Sequence, residues 1–343
     1  MDFVVRIIVS IVISFAVTFI ASKVIIPVLR RKKAGQNVRD DGPQSHLVKQ
    51  GTPTMGGIMM VIGIVVTVLC LSVYPDAPAG LTVVFLLVAM LGFTLIGFWD
   101  DIVKLLQKRS LGLRAWQKIV LQLVVAAVVA VLACIVLGST QERIPFTTNT
   151  VEMGMGKIPF TMFVFIAMVN SVNLTDGLDG LATSLTLVNT LSYLAIILLG
   201  YPLLLTGARE MLHMVDLTNV AVFAAAVSGA CIAFLCFNKY PAQVFMGDTG
   251  SFALGAAITV IAAALDFQIM IAITGFMFAL SAVSVIIQVG SFKLRGKRVF
   301  KMAPLHHHFE LKGVPETRVV LGYVIITVIL CAMCVLGVGI TGM

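Results

Sequence analysis

Five aspartates carry the first sign of chemistry. Asp100 and Asp101 close the tetrapeptide FWDD, Asp176 and Asp179 lie in NLTDGLDGLA at 173–182, and Asp248 lies in FMGDTGS at 245–251. Only 16 of the 343 residues are acidic, so gathering five of them at the ends of apolar runs is informative. Two adjacent carboxylates at the end of a helix repel each other and are opposed by the helix dipole. A divalent cation relieves both problems, because magnesium prefers carboxylate oxygens together with substrate phosphates. The plainer reading of FWDD is a pair of helix-end acids facing basic loop residues such as Lys104. Asp176 and Asp179 are three apart and share a face if they open a helix. One of them is also a fair N-cap, but a cap leaves the second acid and Asn173 unexplained. Gly247 and Gly250 flank Asp248 and let backbone approach a ligand closely, while Thr249 or Ser251 offers the capping alternative. A run of three histidines, His306, His307 and His308, sits in MAPLHHHFE. Imidazole is a common zinc ligand, yet neighbours on a strand point to opposite faces, so phosphate binding or proton transfer suits the run better. Acids for a cation, with His, Lys and Arg for phosphates, are the apparatus of phosphoryl transfer. No Walker A, H-E-x-x-H or G-x-S-x-G pattern occurs.

The elements that must position these residues are set by composition. Hydrophobic residues make up 59% of the chain and charged ones 12%, about half the charged share of a soluble domain. Such a chain reads as an all-α integral membrane protein, a single polytopic domain over 1–343. Runs of the required ~20 apolar residues fall at 4–29, 55–73, 81–99, 119–138, 158–173, 181–200, 218–237, 250–265, 268–290 and 319–341, giving about ten spans. The last break but one, at Asp266 to Gln268, is the weakest. The segment 139–157, rich in turn formers, is expected as an outside loop or a small interfacial hairpin. Nineteen of the 24 Lys and Arg residues fall in the loops after the first, third, seventh and ninth spans. The positive-inside rule puts those loops in the cytoplasm and both termini outside. All five aspartates then lie at cytoplasmic ends of helices. A charge at mid-bilayer costs about 2.5–3.5 kcal/mol, so acids so near hydrocarbon are functional by default. The net charge of +8 follows topology rather than a nucleic-acid footprint, and no nucleic-acid partner is expected. The six cysteines, including Cys331 and Cys334 in a C-x-x-C, lie in apolar runs and read as small packing residues.

At these motifs the sequence resembles the polyprenyl-phosphate N-acetylhexosamine-1-phosphate transferase superfamily. GTPTMGG at 51–57, FWDD, NLTDGLDGLA, FMGDTGS and PLHHHFE at 304–310 occur in order along nearly the whole chain. GTPTMGG and the form of the histidine motif are similar to the muramoyl-pentapeptide branch rather than the N-acetylglucosamine branch. The resemblance implies ten transmembrane helices, a cytoplasmic-facing active-site cleft in a bacterial plasma membrane, a homodimer and a need for Mg2+. It implies transfer of phospho-MurNAc-pentapeptide from UDP-MurNAc-pentapeptide to undecaprenyl phosphate. Among residues, it implies Asp248 as the magnesium ligand and Asp101 close to metal and phosphates. Asp100 is implied as the carboxylate that takes a proton from the lipid phosphate, with His306 in the same catalytic set. Asn173, Asp176 and Asp179 match the polar part of the nucleotide pocket, and Phe245 an aromatic stacked on uracil. Lys49, Thr52, Asn238, Gln288, His307 and His308 match further pocket positions. Lys118 matches another, although nearby Arg114 offers the same charge.

A transporter is the main rival class, because intramembrane acids also mark ion pathways. Transporter sites, however, lie near the midplane on broken helices with internal repeats. Here the acids gather at one face, and no repeat is evident.

Overall fold

The computed structural model describes residues 2–31, 51–72, 77–107, 112–205 and 217–341. The architecture is all-α: α1 (Phe3–Arg31), α2 (Gly57–Leu71), α3 (Ala77–Gln107), α4 (Ala115–Leu137), α5 (Lys157–Thr175), α6 (Leu181–Leu205), α7 (Leu217–Asn238), α8 (Gly247–Ala264), α9 (Ile271–Thr274), α10 (Phe276–Arg295), α11 (Leu305–Glu310) and α12 (Glu316–Thr341). Among the described residues nine helices are long and apolar enough to cross a membrane. The tenth apolar helix, α2, has 15 residues, about 22 Å of rise, short of a ~30 Å hydrocarbon core. With α2 counted, the ten expected apolar segments are all helices, in a multi-pass membrane protein.

The bundle is built around α7 and α8. In their apolar stretches 83% of α7 and 94% of α8 is buried, against 28% of α1 and of α12. Alanines and glycines in GDTGSFALGAAITVIAAA let neighbours approach α8 closely, as small residues do between membrane helices. α3 and α5 pack along α8, while α1 and α6 pack along α7. A Cβ on Gly57 would stand 2.2 Å from the Gly250 Cα, so α2 meets α8 backbone to backbone.

Three expectations change here. Asp100 and Asp101 do not end their helix, because α3 continues to Gln107. The segment beyond them, with Lys104 in place, stays helical, and the dipole argument loses its basis. Asp176 and Asp179 do not open a helix together: Asp176 is the C-cap of α5, and a turn separates both from α6 at Leu181. The histidines lie on the short helix α11, not on a strand, so their directions diverge by about 100° per residue. The segment after α4 forms the expected hairpin, with β1 (Gln141–Arg143) antiparallel to β2 (Thr150–Glu152) and Glu142 opposite Val151. All six cysteines are free; Cys331 and Cys334 are buried, whereas Cys70 and Cys236 lie on exposed helix faces.

Candidate active site

α3, α4, α5 and α8 bring their polar ends together. Asp101 accepts hydrogen bonds from the backbone N–H groups of Asp248 (3.1 Å) and Thr249 (2.9 Å), and from the Thr249 hydroxyl (2.7 Å). These are the orphan donors at the start of α8. Asp101 therefore does for α8 what an N-cap does, but from a different helix, and its negative charge sits at the positive end of the α8 dipole. Close packing permits this, since a Cβ on Gly97, one turn earlier on α3, would meet the Asp248 carbonyl at 2.2 Å.

The cap places Asp248 beside two lysines. Lys118 Nζ lies 2.6 Å from Asp248 Oδ2 and 3.2 Å from Asp100 Oδ2. Lys104 Nζ lies 2.9 Å from Asp248 Oδ1, 2.8 Å from Asp100 Oδ2 and 3.5 Å from Asp101 Oδ1. Asn173, near the end of α5, donates to Asp248 Oδ1 at 3.1 Å and to the Ser251 hydroxyl at 2.9 Å. Asp100 is wholly buried. Its Oδ1 accepts from the Leu113 N–H at 2.8 Å, and its carboxylate is packed on Gly112, where a Cβ would stand 2.4 Å away. The lysine side chains keep 28% and 22% exposure while Asp100 and Asp101 keep almost none. The cleft thus presents cations at its mouth and carboxylates at its floor.

Asp100, Asp101 and Asp248 each offer an oxygen within 4.8 Å of the others. Opposite oxygens around a six-coordinate magnesium stand roughly 4 Å apart, so the three are close enough to gather around a divalent cation once the carboxylates draw in slightly. They are not equally available, because both Asp101 oxygens already accept backbone protons.

The turn after α5 forms one wall. Burial, then the like charges of Asp248, Asp101 and Asp179, push the Asp176 carboxyl up to about 8. A carboxyl that keeps its proton near neutral pH donates as well as accepts. Asp179 is a brace: its Oδ2 accepts from Ala242 N–H at 2.9 Å, and its own N–H donates to Glu316 Oε1 at 2.7 Å. α11 packs on this turn, where a Cβ on Gly177 would meet His306 Nε2 at 2.4 Å and His307 Nε2 at 3.1 Å. His306 is buried against Tyr323, whereas His307 pairs through Nδ1 with Glu310 at 2.7 Å. His308 Nδ1 accepts from Lys301 N–H at 3.0 Å, away from that turn.

Other expected pocket residues hold backbone. Asn238 donates to the Val244 carbonyl (3.0 Å) and accepts from Thr183 (3.1 Å), fixing the loop before α8. Gln288 bonds to Val299 and Phe300. Thr52 begins a strap over the Phe245 segment: Phe245 N–H donates to the Pro53 carbonyl (2.8 Å), and Gly56 and Gly57 N–H donate to the Phe245 and Met246 carbonyls (2.8 and 2.9 Å). Phe245 itself is half-buried beside this strap. Lys49 lies outside the described residues. Of the two cations near position 118, Lys118 reaches the acids, while Arg114 caps α4. Lys104 is the central residue that sequence reasoning did not single out as a site residue. Its spacings of four from Asp100 and three from Asp101 on one helix were the available signal.

Residues 82–266 match the glycosyl transferase family 4. The chain is 46% identical over 328 residues to a phospho-N-acetylmuramoyl-pentapeptide-transferase of Clostridioides difficile strain 630, covering 95% of this chain and 96% of the relative. A protein of the same name from Clostridium novyi strain NT is 44% identical over 324 residues, 94% of each chain. Another, from Desulfitobacterium hafniense strain DSM 10664 / DCB-2, is 45% identical over 317 residues, 92% of each.

Proposed function

The chain belongs to the phospho-N-acetylmuramoyl-pentapeptide transferase family, and from that premise we propose that it transfers phospho-MurNAc-pentapeptide from its UDP carrier to undecaprenyl phosphate, giving lipid I and UMP. In this reaction an oxygen of the lipid phosphate forms a bond to the β-phosphorus of the nucleotide sugar. The bond from that phosphorus to the oxygen bridging to the α-phosphate breaks, and UMP leaves with the electron pair. The single observation that carries the reading is the acidic floor under two partly exposed lysines. Phosphoryl transfer is mostly positioning and neutralisation of charge on phosphate oxygens, and this site offers both.

The residues divide the work. Lys104 and Lys118 hold the phosphates, since an ammonium is a compact donor of three hydrogen bonds. Phe252, whose ring centre lies 5.6 Å from Lys118 Nζ, backs that lysine. Asp248 and Asp100 are the residues that would hold Mg2+, and Asp101 sets their geometry by capping α8. When bound, the ion supplies positive charge at the pyrophosphate oxygens. Asp100 is buried and engaged by two lysines and an N–H, which fix its carboxylate in place. A lipid phosphate is already largely ionised near neutral pH, with a second pKa of about 6, so the step does not depend on a base. His306 and His307 close the wall at Gly177, with Asp176, Phe245 and Thr52 forming the nucleotide side.

The same reading makes 1–343 one membrane domain, a homodimer by family resemblance, and the basic-loop asymmetry supports both termini external and the site facing the cytoplasm. The test of function is UMP release from UDP-MurNAc-pentapeptide and undecaprenyl phosphate with Mg2+, set beside UDP-N-acetylglucosamine. Release from the second donor alone would move the chain to the sister branch, and release from neither would end the proposal. A cysteine placed at Gln44 and labelled from outside would overturn the orientation.

A further inference from the structure

A cavity of about 410 Å³ opens between the last turns of α10 and the basic segment that follows it. Val285, Val289 and Phe292, on one face of the helix, form its apolar floor, and Lys293, Arg298 and Lys301 stand around it. The wall is fixed. Gln288 Oε1 accepts from the Val299 and Phe300 N–H groups at 3.0 and 2.9 Å, its Nε2 donates to the Phe300 carbonyl at 2.9 Å, and Lys301 Nζ donates to the Leu311 carbonyl at 3.0 Å. No carboxylate lines the cavity. None of the ion pairs found among the described residues includes Lys293 or Arg298. Beside these cations Leu294 is 86% exposed and Val299 55%, apolar surface that water does not favour. Cations and bare hydrocarbon side by side, at the end of a membrane helix, match the boundary where lipid headgroups lie.

We propose that this cavity binds the headgroup of a glycerophospholipid carrying one anionic phosphodiester, drawn from the surrounding leaflet. Basic pockets beside membrane helices bind such headgroups, and the lipid chains would continue along the exposed face of α10. The inference rests on the reading above that this segment lies at the membrane surface. The acceptor lipid is a poorer occupant, because its phosphate must reach the acidic cluster. The side chains of that cluster come from α3, α4 and α8, and none of them lines this cavity.

The experiment is native mass spectrometry of the purified full chain in detergent with equal phosphatidylglycerol and phosphatidylcholine, without UDP-sugar. The wild type should retain phosphatidylglycerol preferentially. Each neutralised cation should cost about fivefold in that preference, so Lys293→Gln with Arg298→Gln should cost about 30-fold, with Arg318→Gln close to wild type. Val289→Trp fills the floor with every charge intact and should lower retention too, which guards against a double variant that folds poorly. The proposal fails if the wild type shows no preference, or if the folded double variant retains phosphatidylglycerol as the wild type does. It also fails if the double variant keeps that retention while its KM for undecaprenyl phosphate rises, because the cavity then serves the acceptor. Retention is read without turnover, so its loss leaves the transferase reading standing, and a missing UMP release leaves the lipid site standing.

Discussion

Two clusters of buried charge occupy opposite ends of the same pair of helices. Asn173 and Asp248 lie at one end of α5 and α8, and Lys157 and Asp266 at the other. Sixteen residues of α5 separate them, about 24 Å. At the far end Lys157 Nζ meets Glu142 Oε1 at 2.7 Å, Asp266 Oδ1 at 2.9 Å and the Gln141 carbonyl at 2.5 Å. Its three protons are all used, and its side chain is 2% exposed. Gln268 closes the ring by donating to Glu142 from both its backbone (3.0 Å) and its amide (2.7 Å). Burial holds the Glu142 carboxyl above its usual range against the pull of Lys157. At the near end two lysines are shared among three carboxylates and remain partly exposed. The same residue types thus make a closed knot in one place and an open receptor in the other. What separates them is whether the cation keeps a solvent-facing side on which a phosphate can land.

That contrast breaks most readily at the closed end. Lys157→Met leaves the buried Glu142 and the partly exposed Asp266 without their cation and should cost about 3 kcal/mol of stability, read as a lower unfolding temperature in detergent. The protein that remains folded should release UMP at close to the wild-type rate, and a specific loss of turnover would show the knot is not merely structural. At the open end the effects should reverse. Asp248→Asn should lower turnover about a hundredfold or more, the scale of losing a preorganised electrostatic group, with little change in unfolding temperature. Near-normal turnover at low Mg2+ would remove Asp248 from the metal. Asp100→Asn should cost about tenfold to a hundredfold, by the same factor across about pH 6 to 9 if the residue acts by charge and position. A loss concentrated at low pH, where a lipid phosphate with a second pKa near 6 takes up its proton, would instead make Asp100 the proton acceptor. Asp101→Asn keeps one acceptor for the start of α8 and should cost at most a cap's worth of stability, about 0.5–2 kcal/mol, with a smaller fall in turnover than Asp248→Asn. If it falls as far as Asp248→Asn, Asp101 is a metal ligand after all.

The sequence made some of this legible and hid the rest for a physical reason. Spans follow from local hydropathy, so the apolar helices and the hairpin after α4 were readable in place. The acids were conspicuous because so apolar a chain has few of them. Their division of labour was hidden, because it depends on contacts across 147 or 148 residues, from Asp101 to Asp248 and Thr249. Lys157, Glu142 and Asp266 were equally hidden, coming from three segments with no common motif. Asp179 stood out as an acid near the site, and Asn238 and Gln288 were expected in the pocket by resemblance. Only the hydrogen bonds show that they hold loops.

The cap from α3 onto α8 has a mechanical meaning as well. A helix pinned to its neighbour by three hydrogen bonds at its first turn would move about that pin as a lever about its fulcrum. The amides of Asp248 and Thr249 should then be among the slowest in the protein to exchange with deuterium, although they stand at the first turn of their helix, where fraying is normally fastest. Slow exchange at a helix's very first turn would report that the fulcrum, and the geometry of the acids around it, outlasts the motion of everything attached.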